Sequence, residues 1–253
     1  KTAINKALHD ILDSTFLKKA AYVGYSATPF ANLLVDTTDK ESIYPRDFVV
    51  SLPLNPDYFG PEKLFGSALL DEDHEPPTWD VIRDIPNVDV DLVKPPKNRP
   101  IGWKPSVAPS LEDSVRWFLI ATAIRRLRGQ ESLWSSMMIH TSPNVRPHEE
   151  MKDLVLNLLA SWSSDRVSFR EQSLSQLEDE LARSTDFMNS DLGEIASEDS
   201  SDLLDTVEAV LLDTKVLVDN HASLDRLDYS SEPFPVIVVG GNTLSRGLTL
   251  EGL

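Results

Sequence analysis

Pro235-Val236-Ile237-Val238-Val239-Gly240-Gly241-Asn242-Thr243-Leu244-Ser245-Arg246-Gly247-Leu248-Thr249-Leu250-Glu251-Gly252 is the stretch on which the fold turns. An apolar run enters two glycines, then small polar residues, then Arg-Gly. An apolar run without polar alternation describes a strand covered on both faces, as in a parallel sheet. Ligands of open α/β sheets gather at the carboxyl ends of such strands. Glycines allow close backbone approach to a phosphate, and exposed N–H groups can form an anion-binding nest. Asn242, Thr243 and Ser245 add neutral hydrogen-bonding groups, and Arg246 adds a planar cationic fork. A Gly-Gly turn in any α/β fold has the same glycines, so the pair alone does not decide for phosphate.

Working back from this strand, helical and extended patterns alternate. Ser110, with Asp113 three residues later, reads as an imperfect capping box opening a helix that Gly129 stops. Residues 135–140 read as an apolar strand. Pro147 then starts a helix with Met151, Leu154, Val155, Leu158, Leu159 and Trp162 at helical spacing. A weak helix is expected near 168–183, followed by a mobile acidic loop. Leu203, Leu204, Val207, Val210 and Leu211 mark another amphipathic helix, and residues 215–218 another strand. The alternation over residues 110–240 predicts an α/β fold.

The front of the chain is less regular. Residues 2–17 predict a short helix, residues 20–25 and 48–52 two strands, and Pro29 the first turn of a helix reaching Leu34. Residues 71–109 hold eight of the 17 prolines and little periodicity, which predicts a linker or insertion poor in hydrogen-bonded structure.

The chain has 253 residues and a net charge of −17, which argues against nonspecific nucleic-acid binding by the chain as a whole. The charge is uneven. Residues 171–232 carry 17 acids against 3 bases, whereas residues 94–128 carry 8 bases against 2 acids. The basic stretch either faces phosphate or, through Arg125, Arg126 and Arg128, neutralises a helix C-terminus. Cysteine is absent, which excludes disulfides and thiolate metal sites and fits a reducing cytoplasm. The scattered histidines form no ligand pair, so no metal site is expected. No apolar run is long enough for a membrane span and no signal peptide is visible.

A second motif lies at Tyr22-Val23-Gly24-Tyr25-Ser26-Ala27-Thr28-Pro29-Phe30, where an apolar run stops at short hydroxyls and a proline. "SATPF" resembles motif III of superfamily two helicases, and "SRGLTLEG" resembles their motif V. "SATPFAN", "YPRDFVVSLP", "SMMIHTS" and "VIVVGGNTLSRGLTLEGL" together resemble the Z-one domain. That domain accompanies DEAD-type helicase-like ATPases of restriction and phage-defence systems, and its family description suggests an endonuclease.

The resemblance implies a RecA-like parallel sheet forming the second helicase lobe. Residues 1–70 would end the first lobe, 71–109 would be the proline-rich insertion, and 110–253 would be the second lobe with motifs IV and V. An acidic insertion would fall near 163–202. It implies that Ser26, Thr28 and Arg246 couple nucleotide turnover to DNA, and that Gly247 and Thr249 approach the nucleotide. It further implies that His140, Thr141, Ser142, Gly241, Asn242 and Ser245 line the DNA track. DEAD-box relatives have an aspartate where Thr249 stands, so a ribose contact is not carried over. ATP and Mg²⁺ would be held mainly by parts of the motor outside this chain, because no GxxxxGK[ST] loop and no DEAD-type acidic motif occur in it. The expected partners are DNA, bound weakly by the chain alone, the remainder of the motor, and a nuclease or recognition subunit, in the cytoplasm.

Two other classes compete. A metal nuclease would need Pro56-Asp57 and Glu150-Met151-Lys152 to meet as a PD…ExK site, but the second half falls in a predicted helix rather than on a strand. The tandem Asp71-Glu72-Asp73-His74 reads as a solvated loop. An interaction module would use the acidic 171–232 region to dock a basic nuclease or recognition subunit onto the motor.

Overall fold

The computed structural model describes residues 3–14, 18–26, 47–53, 55, 58, 82–97, 102–183, 200–220, 222–223, 227–241 and 250–252. The chain divides into two compact units, residues 1–78 and 79–253.

The first unit contains α1 (Ala3–Leu12), which stops short of the expected residue 17. The described residues of the two expected strands, 20–25 and 48–52, enter no ladder. Tyr22, Val23, Tyr25, Phe48, Val49, Val50 and Leu52 are all exposed. An apolar run becomes a strand only where a neighbour completes its hydrogen bonds, and the described part of this unit supplies none. The helix expected through Leu34 lies outside the described residues.

The second unit runs α2 (Asn87–Val93), α3 (Pro109–Leu127), β1 (Ser135–Ile139), α4 (Val145–Ser164), α5 (Arg166–Arg183), α6 (Ser200–Asp213), β2 (Lys215–Asp219) and β3 (Pro235–Gly240). The three strands form a parallel sheet in the order β1-β3-β2. The α/β expectation holds, and all six residues of β3 are buried at the centre of the sheet. The boundary between units falls inside the proline-rich stretch, and α2 gives that stretch regular structure that its periodicity did not show.

Side-chain alternation sorts the sheet into two faces. Ile139, Val216, Val218, Ile237 and Val239 join the main core with α3, α4, α5 and α6. On that side α4 lies against β2 and β3, while α3, α5 and α6 pack on one another. Val236 and Val238 face the other way, where Trp134 meets Tyr229 at 4.8 Å and Phe234 at 4.6 Å between ring centroids, both edge-on.

The helix ends show how the fold overrides local signals. Pro109, not Ser110, opens α3, and no side chain of the N-cap residue Ala108 caps it. The Ser110 amide instead donates to Asp89 Oδ2 of α2 at 2.9 Å, so the cap comes from another helix. At the other end Gly129 has φ +74° and donates to Arg126 O, while Gln130 donates to Arg125 O. That pair of bonds is the Schellman arrangement, and the left-handed turn needs the glycine expected there.

The basic stretch resolves against a free phosphate patch at three of its arginines. Arg116 is 5% exposed and bonds Glu112, Asp113, Gln172 and Gln176, with its guanidinium 5.2 Å from the Trp162 ring centroid. Arg125 donates to Trp134 O and Ser135 Oγ, and Arg126 pairs with Asp213 at 2.9 Å. These cations tie the helices together and hold the entrance to β1.

Candidate functional site at the carboxyl edge of the sheet

The register aligns Ile139 with Val239 and Asp219 with Gly240, so the three parallel strands end almost level. Their exits are His140-Thr141-Ser142 after β1, Asn220 after β2 and Gly241 after β3. The first turn of α4 returns to the same edge. Parallel strands joined through helices bring distant segments to one edge in this way, so residues far apart in sequence meet there.

The residue at the middle of this edge is His148 of α4, which is 2% exposed. Its Nε2 lies 2.8 Å from the Ser142 carbonyl oxygen, and its Nδ1 lies 3.3 Å from Asn220 Nδ2. The tautomer follows from the network. Asn220 Oδ1 accepts the Ala222 amide at 2.8 Å, so its NH₂ group is the one facing the ring. An amide NH₂ only donates, so Nδ1 accepts and Nε2 carries the proton it gives to Ser142. Ser142 is itself folded back, its Oγ accepting the Asn144 amide at 3.1 Å.

Gly241 completes the contact. A Cβ built there would stand 3.0 Å from His148 Cε1 and 3.3 Å from the Pro143 carbonyl oxygen. The space beside this glycine is filled by the imidazole, so packing accounts for the glycine independently of any phosphate.

Two further buried polar residues share the edge. Asn220 and Asp219 are 3% and 4% exposed. Asp219 is the last residue of β2 and pairs in register with Gly240 of β3. Its place in the strand alternation puts it on the face of Leu217, opposite Val218.

The expected site residues are distributed as follows. Ser142 and Gly241 are buried at the edge, Thr141 is half-buried and His140 is exposed there. Ser26 is exposed in the first unit and is hydrogen-bonded or otherwise engaged. Thr28, Asn242, Ser245, Arg246, Gly247 and Thr249 lie outside the described residues. Sequence reading missed His148, Asp219 and Asn220. The signals were faint: a histidine three residues into α4, and two polar residues ending an apolar strand.

Beyond the motif, the chain returns to the sheet. Gly252 O accepts the Ser136 amide at 3.0 Å, Glu251 O accepts Ser136 Oγ at 2.6 Å, and the Glu251 amide donates to Tyr229 OH at 3.0 Å. Gly252 has φ +70°, and a Cβ there would fall 1.9 Å from the Trp134 carbonyl oxygen. Residues 250–252 thus cover the edge of β1 that β3 leaves open.

Metal-ligating side chains do not cluster among the described residues. No group of three or more His, Asp or Glu capable of holding a metal ion occurs among them. Glu150 sits on α4, paired with Arg146 at 3.4 Å, and Asp57 and the residues 71–74 lie outside the described set. Among the described residues no helix is long and apolar enough to cross a membrane.

These features define a parallel α/β unit with a polar carboxyl edge. The family model of the Z1 domain matches residues 110–253, from the first turn of α3 through the segment covering β1, and the chain belongs to that family. No curated relative and no solved structure matches the chain.

Proposed function

We propose that the chain is part of a superfamily two helicase-like, DNA-stimulated ATPase motor of a restriction or phage-defence system. In this reading residues 110–253 are the RecA-like second lobe, and the carboxyl edge of the sheet is its working surface. The observation that carries the reading is that the parallel strands end almost level, so the exits of β1, β2 and β3 share one edge. The polar motif 242–249 follows directly after Gly241. Backbone amides and small hydroxyls at such an edge suit phosphate oxygens, and Arg246 would supply the cationic contact. ATP and Mg²⁺ would be held mainly by other parts of the motor.

The test is Arg246→Ala in the full-length motor. ATP binding should stay close to wild type while DNA-stimulated hydrolysis falls about tenfold to a hundredfold, the equivalent of a lost polar contact of about 1–3 kcal/mol. The same loss should follow Ser26→Ala combined with Thr28→Ala. The triple change should be little worse than either lesion, because residues acting as a unit are non-additive. Wild-type stimulation in Arg246→Ala would defeat the motor reading. It would favour the docking module instead, with intact turnover and lost assembly of the nuclease or recognition subunit.

A further inference from the structure

We infer that His148 is a positioning residue for the carboxyl edge, fixing the exits of all three strands relative to one another and so setting where the motif after β3 begins. This deepens the reading of that edge as the working surface and rests on it.

Three contacts from one ring carry the inference. The imidazole gives its proton to the carbonyl of Ser142 after β1 and accepts the amide of Asn220 after β2. It also packs its Cε1 face against Gly241 after β3. Both ring nitrogens are used by loop groups, so the ring has one orientation and one tautomer. The helix bearing it is held by Met151, Val155, Leu158, Leu159 and Trp162 in the main core. His148 thus refers three loops to one rigid element. A site built from loops needs such support, because displacement on the order of 1 Å can cost large factors in function.

A core histidine that only satisfied its own hydrogen bonds would need two partners. The third contact separates the two roles, since it depends on the residue at 241 being glycine. Gly241→Ala leaves both hydrogen-bonding partners in place yet presses a methyl onto the ring. His148→Gln keeps one donor and one acceptor on a flexible side chain. His148→Ala removes everything.

Amide hydrogen exchange on the intact chain tests the inference. In His148→Ala, exchange should speed by at least tenfold in residues 140–144, 219–220 and 240–241. Exchange in α3 and α6 should not change. Gly241→Ala should affect mainly 240–241, and His148→Gln should fall between wild type and His148→Ala. Equal acceleration throughout α3, α5 and α6 would show that His148 only holds the fold together, and unchanged exchange at the three exits would also overturn the inference. If His148→Ala does not fold, Gly241→Ala and His148→Gln decide the matter. Binding of a duplex oligonucleotide by the same variants separates the two proposals. Loosened exits with unchanged DNA affinity would leave His148 as a positioning residue and remove DNA contact from the function of the edge.

Discussion

At the scale of single residues, Asp89 and Gly252 do what their neighbours in sequence could not reveal. Asp89 is 6% exposed and accepts the Ser110 amide, placing a carboxylate at the N-terminus of α3, where the helix dipole also favours it. Asp89→Ala should therefore destabilise the second unit by about 0.5–2 kcal/mol, the usual loss for a cap, with Asp89→Asn recovering part of it. Ser110→Ala, which would be costly if the serine were the cap, should stay within about 0.5 kcal/mol of wild type. Urea midpoints for the three variants check the ordering, and a larger loss for Ser110→Ala than for Asp89→Ala would reverse the assignment. Gly252 is constrained twice, by its left-handed backbone and by the Trp134 carbonyl that occupies its Cβ position. Gly252→Ala should detach residues 250–252 from β1, and the exchange of the Ser136 amide, which bonds Gly252 O, should report it. The amides of β3 should keep their protection; an unchanged Ser136 amide would contradict the role given to this glycine.

At the scale of elements, the helices around the sheet are joined by ion pairs that a charge count alone misrepresents. Arg170 bonds Asp205 and Glu208, linking α5 to α6, and the bonds to Glu208 and then Asp205 hold its guanidinium above its ordinary pKa. Arg126 joins α3 to Asp213 at the end of α6, and Arg83 joins Glu180 of α5 at 2.6 Å. Part of the acidic 171–232 region is thus neutralised within the unit. The C-terminus of α3 gives a local counterpart: Gly129→Ala should cost about 1 kcal/mol, because a Cβ disfavours the left-handed turn that closes the helix. A fall in the urea midpoint with no change in the slope checks this, and an unchanged midpoint would show that the turn is not needed.

At the scale of the whole molecule, the distribution of cations sets the expected behaviour toward DNA. The net charge is −17, and Arg116, Arg125 and Arg126 are engaged internally. Purified residues 1–253 should therefore bind duplex DNA weakly, with affinity falling steeply as salt rises. They should also show no ATP turnover above background, because the sequence contains no phosphate-cradling loop. Tight binding indifferent to salt, or measurable turnover, would contradict the proposed division of labour within the motor.

What the sequence by itself determined was local and periodic. The apolar run of residues 235–239 pointed to a strand covered on both faces, and it is the central strand of a parallel sheet. The spacing of Met151, Val155, Leu158 and Trp162 determined the buried face of α4, and Gly129 determined the end of α3. Each rests on interactions within a few residues or on a pattern repeated along one element. The tertiary structure alone decided the strand order, the cap that Asp89 lends to α3 and the return of Gly252 to β1. It alone also decided the meeting of Ser142, His148, Asn220 and Gly241. Those depend on contacts between segments far apart in the chain, and no local propensity encodes which distant carbonyl a buried histidine will find. The same reason explains the two apolar runs near the front: their composition suits strands, but a strand is a relation to a neighbour, and their described residues have none.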